Sequence, residues 1–350
     1  MPPVPSFSHL PHAAQLDLLE RLTRSTLTKH YGLDGAAVRM EVQQYEDNAV
    51  WRVTPPGRSS FVARLSVRDG RPAHQQRSEM RWLESLAASR TVAVPKPVTT
   101  TGGQYVVSVE VPGHDEPSTL ALLHWLPGTA EPPYRRPGVA EQMGRTTASL
   151  HEHAATLPEF DRPVWDAETI LLKGHALTDR AAREQLGTEG TAALRKVTEL
   201  ITPALHEEAL KDRGRIHGDL HRENMIALPD GVGIGLIDFD DCGTGHYMLD
   251  IATVLSSIRR IAWKQPGSYE QFARDFLVGY TKVRPLPVDS GRLLEPYLLL
   301  RDVFVLNFVT TAAPVNADVA LWGPARIAGI VANMQAYVEG DPYPGTLAFA

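Results

Sequence analysis

The run His217-Gly218-Asp219-Leu220-His221-Arg222-Glu223-Asn224, with Ile237-Asp238-Phe239-Asp240-Asp241 soon after it, restricts this chain more than any other stretch. Asp219 and Asn224 stand too close in sequence to lie on separate elements, so they share one tight loop. The apolar runs Met225–Leu228 and Val232–Ile237 flank Pro229-Asp230-Gly231, a pattern that predicts a β-hairpin. A hairpin folds its ends together, so Asn224 is expected to face Asp238. An amide oxygen and a carboxylate are hard donors of the kind Mg²⁺ takes, and a second carboxylate beside them can orient a hydroxyl. The set is therefore suited to holding a magnesium nucleotide next to an alcohol.

The loop matches the pattern H-G-D-x-H-x-x-N at His217, Gly218, Asp219, His221 and Asn224, and the second segment reads I-D-F-D-D. In both the chain resembles the aminoglycoside phosphotransferase and choline kinase-like family, relatives of the protein kinases. The resemblance runs over about residues 42–260. It implies that Asp219 is the catalytic base and that Asn224 and Asp238 are Mg²⁺ ligands. Two plainer readings compete. His217, Asp219 and His221 could be part of a transition-metal site, although no second His or Cys cluster follows to complete its shell. Asp and Asn could also simply cap a turn, which explains one of them but not the ordered set. His217 reads as a brace for the loop.

Strand patterns dominate early and helical patterns late. Leu16, Leu19, Leu22 and Leu27 predict an amphipathic helix over 12–31. Val38–Val53 and Ser60–Val67 read as two strands, 75–88 as a helix, and 104–111 and 119–126 as further strands. Leu126-Pro127-Gly128 and the prolines at 132, 133 and 137 break the pattern. The expected architecture is α+β and two-lobed, a sheet lobe over 1–125 and a mainly helical lobe over 126–350. This agrees with the kinase-like fold that the resemblance implies.

In the first lobe Glu79, Trp82, Leu83 and Leu86 share one helical stripe, so Glu79 heads towards a core and needs a cation. Arg64, on a strand face with Val62, is the candidate. Kinase-like folds place a strand Lys against the phosphates, paired with a helix Glu, and Arg can fill that role bidentately. The resemblance also gives Asn48 a place beside the nucleotide, through an N-x-x-Y-x-V pattern in which Trp51 replaces Tyr. Adenine is expected on backbone groups near His124, Trp125 and Leu126. His151 and His153 read as packing or hydrogen-bonded residues. Asp250 reads as a helix N-cap that, by the resemblance, braces the catalytic loop. Asp240 or Asp241 could assist the metal or meet an amine on the acceptor.

At 350 residues, with 43% hydrophobic and 22% charged residues, the composition is that of an ordinary globular protein. A net charge of −6 argues against nucleic acid as the main partner. The single cysteine, Cys242, allows no intrachain disulfide and reads as packing. The first residues lack the pattern of a signal peptide, and the apolar stretch 296–314 is interrupted by Arg301, Asp302 and Asn307, so no membrane span and a cytoplasmic location are expected. The expected activity is transfer of phosphate from ATP, with Mg²⁺, to a small-molecule hydroxyl: an aminoglycoside-like compound, an amino alcohol or a sugar. A pocket within about 255–340 is expected to take it. The competing readings are a bacterial stress-type Ser/Thr protein kinase, a nucleotide-binding pseudokinase, and a metal-dependent hydrolase. Only Phe239 to Leu249 separate Asp238 from Asp250, too short a span for a peptide platform, which favours a small acceptor.

Overall fold

A computed structural model describes residues 7, 10–67, 71–113, 117–129, 136–154, 160–207, 211–229, 231, 233–262 and 267–347. The chain forms two compact units. One comprises Met1–Ser89, Val94–Leu126 and Val315–Val319; the other comprises Arg90–Ala93, Pro127–Pro314 and Ala320–Ala350.

The first unit opens with α1 (His12–Tyr31), then β1 (Arg39–Tyr45), β2 (Asn48–Thr54), β3 (Phe61–Ser66), α2 (Ala73–Ser89), β4 (Pro97–Val98), β5 (Val106–Val109) and β6 (Ser118–His124). The strands form one sheet in the order β1-β2-β3-β6-β4, with β5 also on β6, and every pairing is antiparallel. In β2, Ala49, Trp51 and Val53 alternate inward between half-buried neighbours. They join Ala63 and Leu65 of β3 and Leu19 and Leu27 of α1 in the core. Arg64 therefore points to the opposite face. The stretch 38–53, expected as one strand, is a hairpin. Glu46 donates its N–H to the Asn48 carbonyl (3.1 Å) and reverses the chain through Glu46-Asp47, polar residues that tolerate a turn without glycine.

The second unit contains α3 (Val139–Ala154), β7 (Val164–Trp165), a π-helical turn (Glu168–Leu172), α4 (His175–Thr178), α5 (Arg180–Glu207) and β8 (Arg213–Ile216). A 3₁₀ turn (Arg222–Asn224), β9 (Met225–Ala227), β10 (Ile234–Leu236), a second 3₁₀ turn (Phe239–Asp241) and β11 (Gly243–His246) follow. It closes with α6 (Met248–Ala262), α7 (Ser268–Thr281), α8 (Ser290–Ala312) and α9 (Ala317–Val338), whose first residues belong to the other unit. The predicted hairpin is present: β9 and β10 pair antiparallel, Met225 with Leu236 and Ala227 with Ile234. Asp230 and Val232 of its turn lie outside the described residues. β8 pairs with β11, which pairs in parallel with β7, so this small sheet holds the start of the Asp219 loop. α3 and α7 pack at glycine contacts, where a Cβ on Gly144 would meet the Phe276 carbonyl oxygen at 1.9 Å.

Candidate active site

The loop after β8 is built backwards from a buried carboxylate. Asp250 accepts the backbone N–H of His217 at Oδ2 and that of Gly218 at Oδ1, each at 2.9 Å. The same Oδ2 lies 3.0 Å from His151 Nε2, and His151 Nδ1 lies 2.9 Å from the Tyr280 hydroxyl. Asp250, His151 and His217 are fully buried, so α3, α6 and α7 converge on the loop through one buried polar network. Asp250 sits within the first turn of α6 rather than at its N-cap, because the helix already starts at Met248. Its carboxylate faces the loop and not its own helix. Gly218 takes a φ of +82°, and a Cβ there would meet the Asp241 carbonyl oxygen at 2.2 Å, so only glycine fits.

His217 sets its Nε2 2.9 Å from the Ile237 carbonyl oxygen, linking the loop to the hairpin's far end. It does not share one centre with Asp219 and His221, and among the described residues no three His, Cys, Asp or Glu side chains gather as a metal site. Ile237 donates its N–H to the Asn224 carbonyl (3.0 Å), so Asp238 stands one residue beyond a bond to Asn224. The Asn224 Nδ2 donates to the Asp219 carbonyl at 2.9 Å, which turns the amide oxygen to the other side. Asp238 is exposed and holds a left-handed φ of +60°, uncommon for a residue other than glycine. Oxygen donors from an amide and a carboxylate fit Mg²⁺ better than a softer transition metal.

Asp219 is flanked by two cations. Its Oδ1 pairs with Arg301 of α8, and its Oδ2 lies 3.3 Å from His221 Nε2. Burial works against the charge, but His221 and Arg301 outweigh it and hold the carboxyl far below the ordinary carboxylate range. Burial likewise opposes charge on His221, yet Asp219 and then Glu223, 2.8 Å from Nδ1, push its pKa up to about 9. Glu223 is disfavoured by burial but drawn down to about 2 by His221 and Arg222. Sequence reasoning did not connect Arg301 with the site. The signal was there, since Arg301-Asp302 interrupts the apolar run from Tyr297 to Leu306 of α8, but its partner lies in a distant loop. Asp241 turns its backbone oxygen to Trp165 Nε1 (2.7 Å), which braces the turn after Asp238.

In the first unit Arg64 Nη2 meets Glu79 Oε2 at 2.6 Å, with the two residues 5% and 0% exposed. Glu79 shares its buried stripe with Trp82, Leu83 and Leu86, as their spacing predicts. Asn48 begins β2 opposite Ser66. Trp125 stacks beneath the Arg52 guanidinium at 4.5 Å. The N–H groups of His124 and Trp125 are used within this unit, on the Lys96 and Ser60 carbonyls at 2.8 and 3.0 Å. That narrows the expected adenine contacts: of the three residues only Leu126 keeps its N–H out of these backbone bonds among the described residues.

The model of the phosphotransferase enzyme family matches residues 41–286. A hydroxylysine kinase from Bos taurus is 26% identical over 233 residues, covering 59% of this chain and 57% of the relative. A homoserine kinase from Caulobacter sp. (strain K31) is 28% identical over 228 residues, covering 53% and 68%. The chain thus spans little more than half the length of the first of these relatives. A microcompartment-associated aminopropanol kinase of known structure superposes with a TM-score of 0.74 at 26% identity, over 93% of this chain and 99% of that one. No helix among the described residues is long and apolar enough to cross a membrane. The sheet-bearing and helical units, the Asp219 loop and the span of the match lead to one conclusion: this chain belongs to the phosphotransferase enzyme family.

Proposed function

We propose that the chain is an ATP- and Mg²⁺-dependent kinase that phosphorylates a hydroxyl of a small molecule in the cytoplasm. The observation that carries this reading is the Ile237–Asn224 backbone bond, which sets Asp238 at the end of the loop bearing Asp219. Asp219 receives the acceptor hydroxyl and orients it. The hydroxyl oxygen bonds to the γ-phosphorus as the bond to the bridging oxygen breaks, and that bond's electron pair leaves with ADP. The hydroxyl proton passes to the Asp219 carboxylate. Stabilised by His221 and Arg301, this carboxylate is a weak base, so it takes the proton late, once the oxygen has become acidic. Asn224 and Asp238 would hold Mg²⁺, whose charge offsets that of the phosphates when bound.

In the first unit Arg64 is assigned to the phosphates and Glu79 to fixing its guanidinium, with Asn48 also on the nucleotide. The chain around His124, Trp125 and Leu126 is assigned to adenine. Three relatives named for small alcohols that carry an amine support a small acceptor. So does the short path from Asp238 to α6, filled by one 3₁₀ turn and β11. The purified protein, incubated with γ-labelled ATP, Mg²⁺ and either a panel of small hydroxyl compounds or a protein extract, tests the reading. Label in the small-molecule fraction that disappears in Asp219→Asn is the expected result. Label on specific proteins alone would make the chain a protein kinase, and no Asp219-dependent label would make it a nucleotide-binding pseudokinase.

A further inference from the structure

Arg260 has no role in the reading above. One helical turn before it on α6, Ser257 Oγ accepts the backbone N–H of Arg222 at 3.1 Å, so this face of α6 meets the loop that carries Asp219. Arg301 reaches the same region from α8 through its pair with Asp219. Arg326 of α9 pairs at 2.8 Å with Asp302, the residue next to Arg301 on α8. Arg222 is matched by Glu223 at 2.5 Å. These guanidiniums take up the nearby carboxylates Asp219, Glu223 and Asp302, and Asp302 also accepts the Tyr343 hydroxyl at 2.5 Å. Arg260 is left without an ion pair or hydrogen bond among the described residues.

The residue keeps solvent access. Even so, the protein packed around its guanidinium, and the charge of Arg326, lower its pKa to about 10, with Arg301 adding to the effect and Glu223 and Asp302 opposing it. A guanidinium held against like charges gains most from an anion arriving from solvent, and its fork matches a carboxylate bidentately. The side chain that ties this cluster to the proposed chemistry is Asp219, at the acceptor end, rather than Asp238 at the metal end.

We infer that Arg260, with Arg326 beside it, forms an anion subsite for the acceptor, and that the acceptor is a hydroxyl compound bearing a carboxylate, a hydroxy acid or hydroxy amino acid. The word acceptor rests on the kinase reading; the anion subsite does not. Matched pairs that differ by the carboxylate decide it: serine against ethanolamine, and homoserine against 3-aminopropan-1-ol. Each is measured by calorimetry in the presence of Mg·ADP and by turnover with Mg·ATP, on the wild-type chain and on an Arg260→Met variant shown by thermal unfolding to be folded. The expected result is a preference for the carboxylate member of about tenfold or more, collapsing towards unity in Arg260→Met. A wild-type ratio near one, or a ratio the variant does not move, overturns the inference. So does a variant that loses Mg·ATP affinity in step with acceptor affinity, which would give Arg260 to the nucleotide phosphates. Carboxylate binding that depends on Arg260 without any turnover would uphold the subsite and sink the kinase reading, whereas turnover without carboxylate preference would do the reverse.

Discussion

At the scale of single residues, what shapes the site is what surrounds Asp219. Two cations on one carboxylate make it a group that stays charged and binds a proton weakly, which suits holding a hydroxyl better than stripping it early. The loop that presents it depends on Gly218. A Gly218→Ala substitution must leave a left-handed φ or push the Asp241 carbonyl away, so it is expected to destabilise the fold by about 1–3 kcal/mol or more and to abolish turnover. Chemical denaturation beside an activity assay checks both; a variant as stable and active as the wild type would mean the loop relaxes freely. The order of His217, Asp219, Asn224 and Asp238 was legible because loop and hairpin are local in sequence. Arg301 was not, since its contact with Asp219 exists only after α8 has packed, and no local periodicity encodes that.

Elements show the same division. α2 was legible because its buried stripe repeats at helical spacing. The reversal between β1 and β2 was missed because no Gly or Pro marks it. The link between β3 and α2 was predicted as a charge pair, and the buried Arg64–Glu79 contact has a measurable consequence. Arg64→Met and Glu79→Gln should each cost about 3–5 kcal/mol, each breaking the buried ion pair from one side, and the double variant clearly less than their sum. Strict additivity in denaturant midpoints would argue against a coupled pair. In the second unit, His151 joins three helices. Burial lowers its pKa, with Arg284 adding to the effect and Asp250 opposing it. The unfolded chain therefore takes this proton first as pH falls. The contribution to stability is full above the ordinary histidine value of about 6.5 and is lost below it. Denaturant midpoints followed from neutral to acid pH should fall less steeply in His151→Gln than in the wild type. Equal slopes would contradict a neutral buried His151.

For the molecule as a whole, the early strands and late helices made the α+β architecture readable from sequence, and the family match over 41–286 agrees with it. The acceptor was not readable, because the cation that reaches Asp219 from outside its own loop is Arg301 of α8, a helix whose pattern records packing rather than ligand chemistry. The proposed division of labour separates two variants. Asp238→Ala should weaken nucleotide binding by removing its dependence on Mg²⁺, which calorimetry with and without the ion reads directly; an unchanged Mg²⁺ dependence would take Asp238 out of the metal site. In that proposal Asp219 acts on the acceptor alone, so the most direct measurement is Asp219→Asn, with Mg·ATP affinity by calorimetry set beside turnover. The account predicts turnover lower by about 10²–10⁴-fold with Mg·ATP affinity nearly unchanged. Affinity and turnover falling together would contradict it, because Asp219 would then belong to the nucleotide and not to the hydroxyl.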